Sequence, residues 1–310
     1  MKKTIQQLFD EYVYECEFVQ GLKPQTLRGY RQNFKTLLKI MPDLSLESLT
    51  GYNMIAFFKI LQERNRIVGK GIIKTGVKKN TIATYWSKFN PFFEWLARNG
   101  KIDQNPFKGL KRPTARYEEK QFLKKEEIEK ILTSIITHSD SVFLLKRNLV
   151  IFYTLLFCGL RRGELTLLQI SDIDFQRKML TVRAETSKVA RARQVPLHPK
   201  LIMYLVDYLV ERKKYTNPYL LVSAYRDSRL TNEGLDSLIT NLNTFSGVKF
   251  HAHQLRHTFA VNFLKSSNNI AKLQQLLGHM DVSMTLQYLR CLPPSEMRQD
   301  IEIMSIDNFV

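Results

Sequence analysis

The sequence has few of the residues that mark secreted, disulfide-bonded or membrane proteins. Its 310 residues include three cysteines, Cys16, Cys158 and Cys291, which are widely spaced and form no Cys-x-x-Cys pair. This argues against a disulfide framework and a zinc site, and it suits a reducing compartment. No stretch of about 18 apolar residues lacks a charge, so no membrane span is predicted. The basic N-terminus is not followed by the apolar segment of a secretory signal. We therefore expect a cytoplasmic protein.

Acidic residues are also scarce. The chain has 29 Asp and Glu against 47 Lys and Arg, which gives a net charge of +18. Residues 1–120 hold 22 basic and 11 acidic residues, and the remainder holds 25 and 18, so both halves are basic. Such a charge favours a polyanionic partner, either nucleic acid or an anionic membrane surface. Solubility alone would also explain it.

The first part of the chain, residues 1–107, reads as a helical domain. Apolar residues recur at helical spacing in four segments, and the aromatic residues of the fourth are expected to form a core. Between the third and fourth helices, residues 64–79 contain three glycines and no acid. A solvated loop explains this composition, and so do contacts with DNA phosphates. The six basic residues of the segment are Arg64, Arg66, Lys70, Lys74, Lys78 and Lys79.

Residues 108–120 lack periodicity and contain Pro113, so they are predicted to link two domains. The second domain, residues 121–292, reads as mostly helical with one small sheet. Its two strands are predicted at residues 180–183 and 193–197, on either side of a hairpin. Residues 293–310 form a tail, which would pack either on a neighbouring protomer or on its own chain.

Two segments of the second domain carry basic residues at positions that a bound anion would explain. Arg161 follows a glycine break inside the longest apolar stretch, and Glu164 could orient its guanidinium group. A surface turn with two arginines would also fit. At the predicted hairpin tip, Lys188 could give a proton to a leaving oxygen or merely touch backbone phosphate. Arg191 and Arg193 follow it as candidate DNA contacts.

Two further segments hold histidine, arginine and tyrosine. His253 and Arg256 stand three residues apart at the start of a predicted helix and so share a face. Three histidines within seven residues also suggest metal binding, but no cysteine or carboxylate cluster completes a site. Gly278 is predicted to end a helix and leave His279 at an exposed corner, and a short helix over residues 282–290 then presents Tyr288.

These segments together resemble the tyrosine recombinase family, which includes phage integrases and the Xer recombinases. The order Gly-Leu-Arg161-x-x-Glu-Leu, Lys188, His253-x-x-Arg256, Leu-Gly-His279 and Tyr288 is the family's order. Residues 24–30 and 81–107 resemble its core-binding domain, so the likeness covers nearly the whole chain. The resemblance implies a mainly α fold. An N-terminal helical core-binding (SAM-like) domain would precede a C-terminal α-rich catalytic domain with a small antiparallel sheet.

The resemblance also implies site-specific DNA recombination, for integration, excision or resolution, without metal or other cofactor. Tyr288 would attack a DNA phosphate and form a 3′-phosphotyrosyl link. Arg161 and Arg256 would bind the phosphate oxygens, and Lys188 would protonate the leaving oxygen. His253 would assist proton transfer from the tyrosine, and His279 would hydrogen-bond the phosphate.

The expected partners are double-stranded DNA with paired inverted core sites and three further copies of the chain, with no membrane. Such an enzyme could belong to a mobile element. The alternatives are a type IB topoisomerase-like enzyme, which relaxes DNA as a monomer, and a DNA-binding regulator that does not cut.

Overall fold

The computed structural model describes residues 3–69, 71–114, 122–187, 190–223 and 225–291. Lys70, Lys188 and the tail, all named above, lie outside the described residues. The chain divides into two compact units, Met1–Glu118 and Glu119–Val310. Each unit has its own hydrophobic core.

The described residues of unit 1 form four helices around an aromatic core. They are α1 (Ile5–Phe18), α2 (Pro24–Ile40), α3 (Gly51–Glu63) and α4 (Lys79–Arg98). The predicted aromatic residues are buried, and their rings stack in close pairs. Phe9 lies 3.8 Å from Phe34 between ring centroids, and Trp86 lies 3.8 Å from Phe107. These rings fill the interior of unit 1 and are therefore not a surface for stacking bases.

The basic segment between α3 and α4 forms a β-hairpin, which differs from the loop expected from sequence. Strand β1 (Asn65–Val68) pairs antiparallel with β2 (Ile72–Thr75), with Ile67 opposite Ile73. Gly69 and Gly71 have φ values of 56° and 80°, which lets the turn between the strands form. The β-branched residues beside these glycines were the signal for strands, but the high density of charge concealed it.

Unit 2 surrounds a long buried helix. Helix α6 (Val142–Cys158) packs against α8 (Pro199–Arg212) and α10 (Ala252–Ser267). The other helices are α5 (Lys125–Thr137), α7 (Arg162–Thr166), α9 (Asn232–Ser246), α11 (Ile270–Leu277) and α12 (Ser283–Leu286). Because most of α6 is buried, its sequence is predominantly apolar, with the polar residues Lys146, Arg147 and Asn148 together near its start.

A three-stranded antiparallel sheet lies beside these helices. Its order is β3 (Ile173–Asp174), β4 (Met179–Val182) and β5 (Arg193–Pro196), and Leu180 pairs with Val195. The two predicted strands correspond to β4 and β5, and β3 adds a short third strand. The mainly α fold with a small antiparallel sheet in the second of two domains is confirmed. Among the residues described, none of the helices is long and apolar enough to cross a membrane.

Candidate active site

The end of α6 fixes the first predicted site residue. Helix α6 stops at Gly159, whose φ of 58° is left-handed. A Cβ atom there would lie 2.3 Å from the ring of Phe259, so glycine is required both by conformation and by space. The chain then turns into α7, with Arg161 as the residue before its first turn. This turn directs the Arg161 side chain towards the end of α11, where its Nη2 donates to the carbonyl of Gly278 at 3.4 Å.

The carboxylate of Glu164 accepts two hydrogen bonds from Arg161. Its Oε1 accepts a hydrogen bond from Arg161 Nη1 at 2.8 Å, and its Oε2 accepts one from the Arg161 backbone N–H at 2.9 Å. Arg193 donates to the same carboxylate from Nη1 at 3.0 Å and Nη2 at 2.7 Å. Burial would raise the pKa of Glu164, but the hydrogen bonds and charges of Arg193 and Arg161 lower it to about 2. The carboxylate is therefore ionised and anchors both guanidinium groups.

Arg193 occupies a different place from the one its grouping with Arg191 suggested. Its side chain is 7% exposed, and its Nε donates to the carbonyl of Leu276 at 2.7 Å. With both Nη atoms on Glu164, all three nitrogens are used inside the protein. Arg191, two residues earlier, is exposed. The structure thus separates the two predicted DNA contacts and places Arg193 in the support of the site.

Arg256 is the most buried of the predicted site residues that the structure describes. It is 1% exposed, and its two Nη atoms donate to the carbonyls of Gly159 at 2.7 Å and Leu277 at 2.8 Å. Its Nη1 lies 4.0 Å from Glu164 Oε2. Burial and the nearby Arg161 charge lower the pKa of Arg256 to about 10, so it remains a cation at neutral pH. These contacts fix its guanidinium group between the end of α6 and the end of α11.

His279 borders the same space, and the expectation of an exposed corner was wrong. Gly278 does end α11 in a left-handed conformation with φ of 63°, as predicted. The next residue, however, turns its ring inward and is half-buried. Its Nε2 lies 2.9 Å from Arg256 Nη2, and its Nδ1 lies 2.9 Å from Thr285 Oγ1. Burial and the charges of Arg256 and Arg161 lower the pKa of His279 to about 4.

Tyr288 lies in a turn and not inside a helix. Helix α12 ends at Leu286, and a 3-10 turn, Leu289–Cys291, follows the tyrosine, so the predicted helix over residues 282–290 is broken at this point. The residue is 4% exposed, and its ring is nearly parallel to that of His279 at 6.3 Å between centroids. Burial raises the pKa of its phenol, while the charge and hydrogen bond of Arg256 oppose the rise. The phenol is therefore protonated at neutral pH.

His253 is joined to the tyrosine by a residue that sequence reasoning missed. His253 is exposed, although it stands on the same helix as the buried Arg256. Its ring lies 4.7 Å from that of His257, which in turn lies 5.1 Å from the ring of Tyr288. The signal for His257 was its position four residues after His253, which places the two on adjoining turns of α10.

The structure thus brings together five of the six predicted catalytic residues. Arg161, Arg256, His253, His279 and Tyr288 meet where α7, α10 and α11 converge, and Lys188 is the sixth. Of the predicted DNA contacts in unit 1, Lys74, Lys78 and Lys79 are exposed on the hairpin and the start of α4. In the described part of the chain, no three His, Cys, Asp or Glu side chains form a group that could hold a metal ion.

Two family models match the chain, one in each unit. The model described as "Phage integrase family" matches residues 121–293, and the model described as "Phage integrase SAM-like domain" matches residues 4–116. Tyrosine recombinase XerC of Chromobacterium violaceum is 28% identical over 272 residues, which cover 87% of this chain and 85% of that protein. A tyrosine recombinase of Pseudothermotoga lettingae is 29% identical over 291 residues, covering 93% of each chain.

Solved structures show the same fold at lower identity. The Tn1549 transposon integrase in complex with transposon right end DNA has a TM-score of 0.76 at 17% identity, covering 97% of this chain and 99% of that one. The XerH recombinase in its post-cleavage complex with a palindromic difH substrate has a TM-score of 0.72 at 20% identity, covering 92% and 82%. A lambda integrase dimer bound to a COC′ core site has a TM-score of 0.70 at 20% identity, covering 92% and 95%.

Proposed function

The chain belongs to the phage integrase family and is a tyrosine site-specific DNA recombinase, and we propose that Tyr288 is its nucleophile. The observation that carries this assignment is the cluster of three guanidinium groups beside the tyrosine. Arg161, Arg193 and Arg256 together hold three positive charges against the one negative charge of Glu164. A buried cluster with excess positive charge is complementary to a phosphate group.

The reaction is a transesterification at a DNA phosphate. Tyr288 Oη attacks phosphorus and forms the O–P bond, the bond from phosphorus to the 5′-oxygen breaks, and a 3′-phosphotyrosyl link results. The 5′-hydroxyl of a partner strand then attacks the same phosphorus and displaces the tyrosine. Because the link to tyrosine is itself a phosphodiester, the energy of the broken DNA bond is retained, and rejoining requires no nucleotide. Arg161 and Arg256 stabilise the charge on the non-bridging oxygens, and groups of this kind are worth about 10²–10³-fold in rate.

Two protons move during cleavage. The phenol of Tyr288 is protonated in the free protein, so it must lose its proton as it attacks. His253 assists this transfer, and the ring of His257 lies between it and the tyrosine. Lys188 gives a proton to the leaving 5′-oxygen, as an ammonium group in a DNA groove is able to do. His279 donates a hydrogen bond to the phosphate once its ring is charged.

DNA is held by basic surfaces on both units. We define the basic hairpin as residues 64–79. Its lysines contact the phosphate backbone, and the proposal is supported by the exposure of Lys74, Lys78 and Lys79 and by the absence of acid from the segment. Arg191 is the matching exposed contact on unit 2. As DNA is the substrate, we place the enzyme's work in the cytoplasm.

The enzyme acts as four protomers on two DNA duplexes with paired inverted core sites. The proposal is supported by the lambda integrase, which has been solved as a tetramer bound to a Holliday junction, and by XerH, which has been solved on a palindromic substrate. The mass of the complex formed on a DNA with two inverted sites tests this. Four chains on two duplexes are expected, and a complex that never exceeds one chain for each duplex would contradict it.

A nicked suicide substrate tests the nucleophile, because the strand released by cleavage cannot rejoin. Tyr288→Phe should bind this DNA with unchanged affinity and form no covalent adduct. Tyr225→Phe is the matched control, because Tyr225 is 91% exposed and lies outside the cluster. Tyr225→Phe should form adduct at the wild-type rate. An adduct of normal yield in Tyr288→Phe would contradict the assignment of Tyr288 as the nucleophile.

The same chemistry without synapsis would relax DNA, as a type IB topoisomerase does. Relaxation of a supercoiled plasmid that lacks a recombination site separates the two activities. A site-specific recombinase should leave this plasmid supercoiled and should recombine only a plasmid that carries paired sites.

A further inference from the structure

The ring of His279 is held at both nitrogens, and these two hydrogen bonds define where its proton lies. Its Nε2 lies 2.9 Å from Arg256 Nη2, and its Nδ1 lies 2.9 Å from Thr285 Oγ1. A guanidinium group has donors and no acceptor, so Nε2 must accept this hydrogen bond. In the neutral ring the proton is therefore on Nδ1, which donates it to the threonine hydroxyl oxygen.

The threonine that accepts this proton is also tied to the nucleophile. Thr285 is fully buried in α12, and its backbone N–H donates to the carbonyl of Val282 at 2.8 Å. Its own carbonyl accepts a hydrogen bond from the Tyr288 backbone N–H at 3.0 Å. One residue thus binds the histidine ring through its side chain and the tyrosine through its backbone. Neither hydrogen bond could be read from the sequence, where Thr285 is one polar residue of a short turn.

We propose that Thr285 is a positioning residue, whose hydroxyl keeps the proton of His279 on Nδ1 and so keeps Nε2 directed at the phosphate site. This rests on the proposed function of the cluster as a phosphate site. The opposite tautomer would place an N–H at Nε2 against an N–H of Arg256, so two donors would face each other. Arg256 selects the Nδ1–H form only while Nε2 faces it. Without the Thr285 hydroxyl, Nδ1–H would be buried without an acceptor, so the ring would no longer be held in this orientation.

The arrangement has a consequence for the reaction. In the free enzyme, Nε2 occupies one donor of Arg256. When a phosphate enters, this donor turns to a phosphate oxygen, and Nε2 takes up a proton from water and donates to the phosphate. The hydrogen bond from Nδ1 to Thr285 persists through both states, because Nδ1 is a donor in the neutral and in the charged ring. Thr285 therefore keeps the ring in place while its charge changes.

The first test reads the tautomer directly in the free protein. Nitrogen-15 spectra of the histidine side chains, with His279 assigned from the spectrum of His279→Gln, distinguish a protonated Nδ1 from a protonated Nε2. Wild type and Thr285→Ser should show the Nδ1–H form of His279, and Thr285→Val, in which the ring can turn Nε2 away from Arg256, should show a mixture or the Nε2–H form. An unchanged Nδ1–H form in Thr285→Val would overturn the proposal.

The second test measures cleavage on the nicked suicide substrate. Removing the hydrogen-bond partner that orients a metal-binding histidine typically lowers affinity or activity about 10–100-fold, and we expect an effect of the same size for an orienting partner of His279. Thr285→Val should therefore form adduct about 10–100-fold more slowly with unchanged DNA affinity, and Thr285→Ser should stay close to wild type. An equal decrease in the serine and valine variants would show that packing, and not the hydroxyl, is what matters, and would also overturn the proposal.

A matched control separates the hydroxyl's role from a general effect of altering a buried threonine. Thr154 in α6 is 1% exposed, and its hydroxyl finds no hydrogen-bond partner among the described residues. Thr154→Val should cleave as wild type does. If Thr285→Val does not fold, Thr285→Ala serves in both tests with the same expectations. A wild type that forms no adduct would reject the proposed function, while the nitrogen-15 spectra would still decide the tautomer.

Discussion

Glu164 provides a sharp test of how the site is held together. Replacing it by glutamine keeps the shape of the side chain and removes the charge that Arg161 and Arg193 share. At about 1.36 kcal/mol for each pH unit, a pKa lowered from 4.5 to about 2 corresponds to about 3 kcal/mol of stability. Breaking a buried ion pair from one side typically costs about 3–5 kcal/mol, which agrees with this value. We expect Glu164→Gln to destabilise unit 2 by about 3 kcal/mol.

Urea unfolding can assign this destabilisation to the correct unit. Both tryptophans, Trp86 and Trp95, lie in α4 of unit 1, so tryptophan fluorescence reports on unit 1. Far-ultraviolet circular dichroism reports on both units. With a slope of about 2 kcal/mol/M, the midpoint of the unit 2 transition should fall by about 1.5 M. The midpoint of the transition followed by tryptophan fluorescence should not change.

A second carboxylate on unit 2 serves as the control. Asp236 pairs with Arg162, but both side chains are about half exposed. Exposed pairs are worth about 0–1 kcal/mol, so Asp236→Asn should shift the transition little. If Glu164→Gln destabilised unit 2 no more than Asp236→Asn does, Glu164 would not be the anchor of the site.

The difference in stability between wild type and Glu164→Gln should also depend on pH. The folded-state pKa of Glu164 is lowered to about 2, so its stabilising effect is complete above its ordinary pKa of 4.5. It is lost as the pH falls from 4.5 towards 2, because the unfolded state takes up a proton in this range while the folded state stays ionised until about pH 2. The gap in stability between wild type and Glu164→Gln should therefore be constant above pH 5 and shrink below pH 4.5.

Three further predictions rest on the geometry of single residues and of the basic hairpin. Gly159→Ala should destabilise unit 2 by at least about 2 kcal/mol, because the added Cβ meets Phe259 at 2.3 Å, whereas Gly163→Ala, which meets nothing, should not destabilise it. Neutralising Lys70, Lys74, Lys78 and Lys79 of the basic hairpin should reduce the slope of log affinity against log salt by about 0.9 for each phosphate that the hairpin no longer binds. An unchanged slope would show that these lysines do not contact DNA phosphates. The NMR titration of His279 should give a pKa of about 4 in the free protein and a higher one with bound orthovanadate, and a free-protein value near 6.5 would contradict the buried, positively charged surroundings.

Each candidate site residue was ambiguous when taken alone. Their combined order, Gly-Leu-Arg161, Lys188, His253-x-x-Arg256, Leu-Gly-His279 and Tyr288, pointed to the site because it resembles the order of the tyrosine recombinase family. The mainly helical fold could also be predicted, because the apolar periodicity of the long helices is strong. Gly159 and Gly278 were recognisable as helix ends because left-handed conformations favour glycine.

What the sequence left undetermined is the direction in which side chains face. Arg193 was grouped with Arg191 because both are basic and follow the hairpin tip. In β5, however, alternate residues share a face, and Val195, two residues on, is buried. Arg193 therefore belongs to the inner face, and the strand period carried that information. His257 and Thr285 were missed for another reason, since each becomes significant only through neighbours that folding brings to it.

The most direct measurement of the central claim is the identity of the amino acid joined to DNA. Trypsin should release residues 273–290 as one peptide, and Tyr288 is the tyrosine within it. After cleavage of the nicked substrate and nuclease trimming, mass spectrometry should find the nucleotide on Tyr288 of this peptide through a 3′-phosphate. A nucleotide found on another tyrosine, or on a peptide outside residues 273–290, would contradict the account.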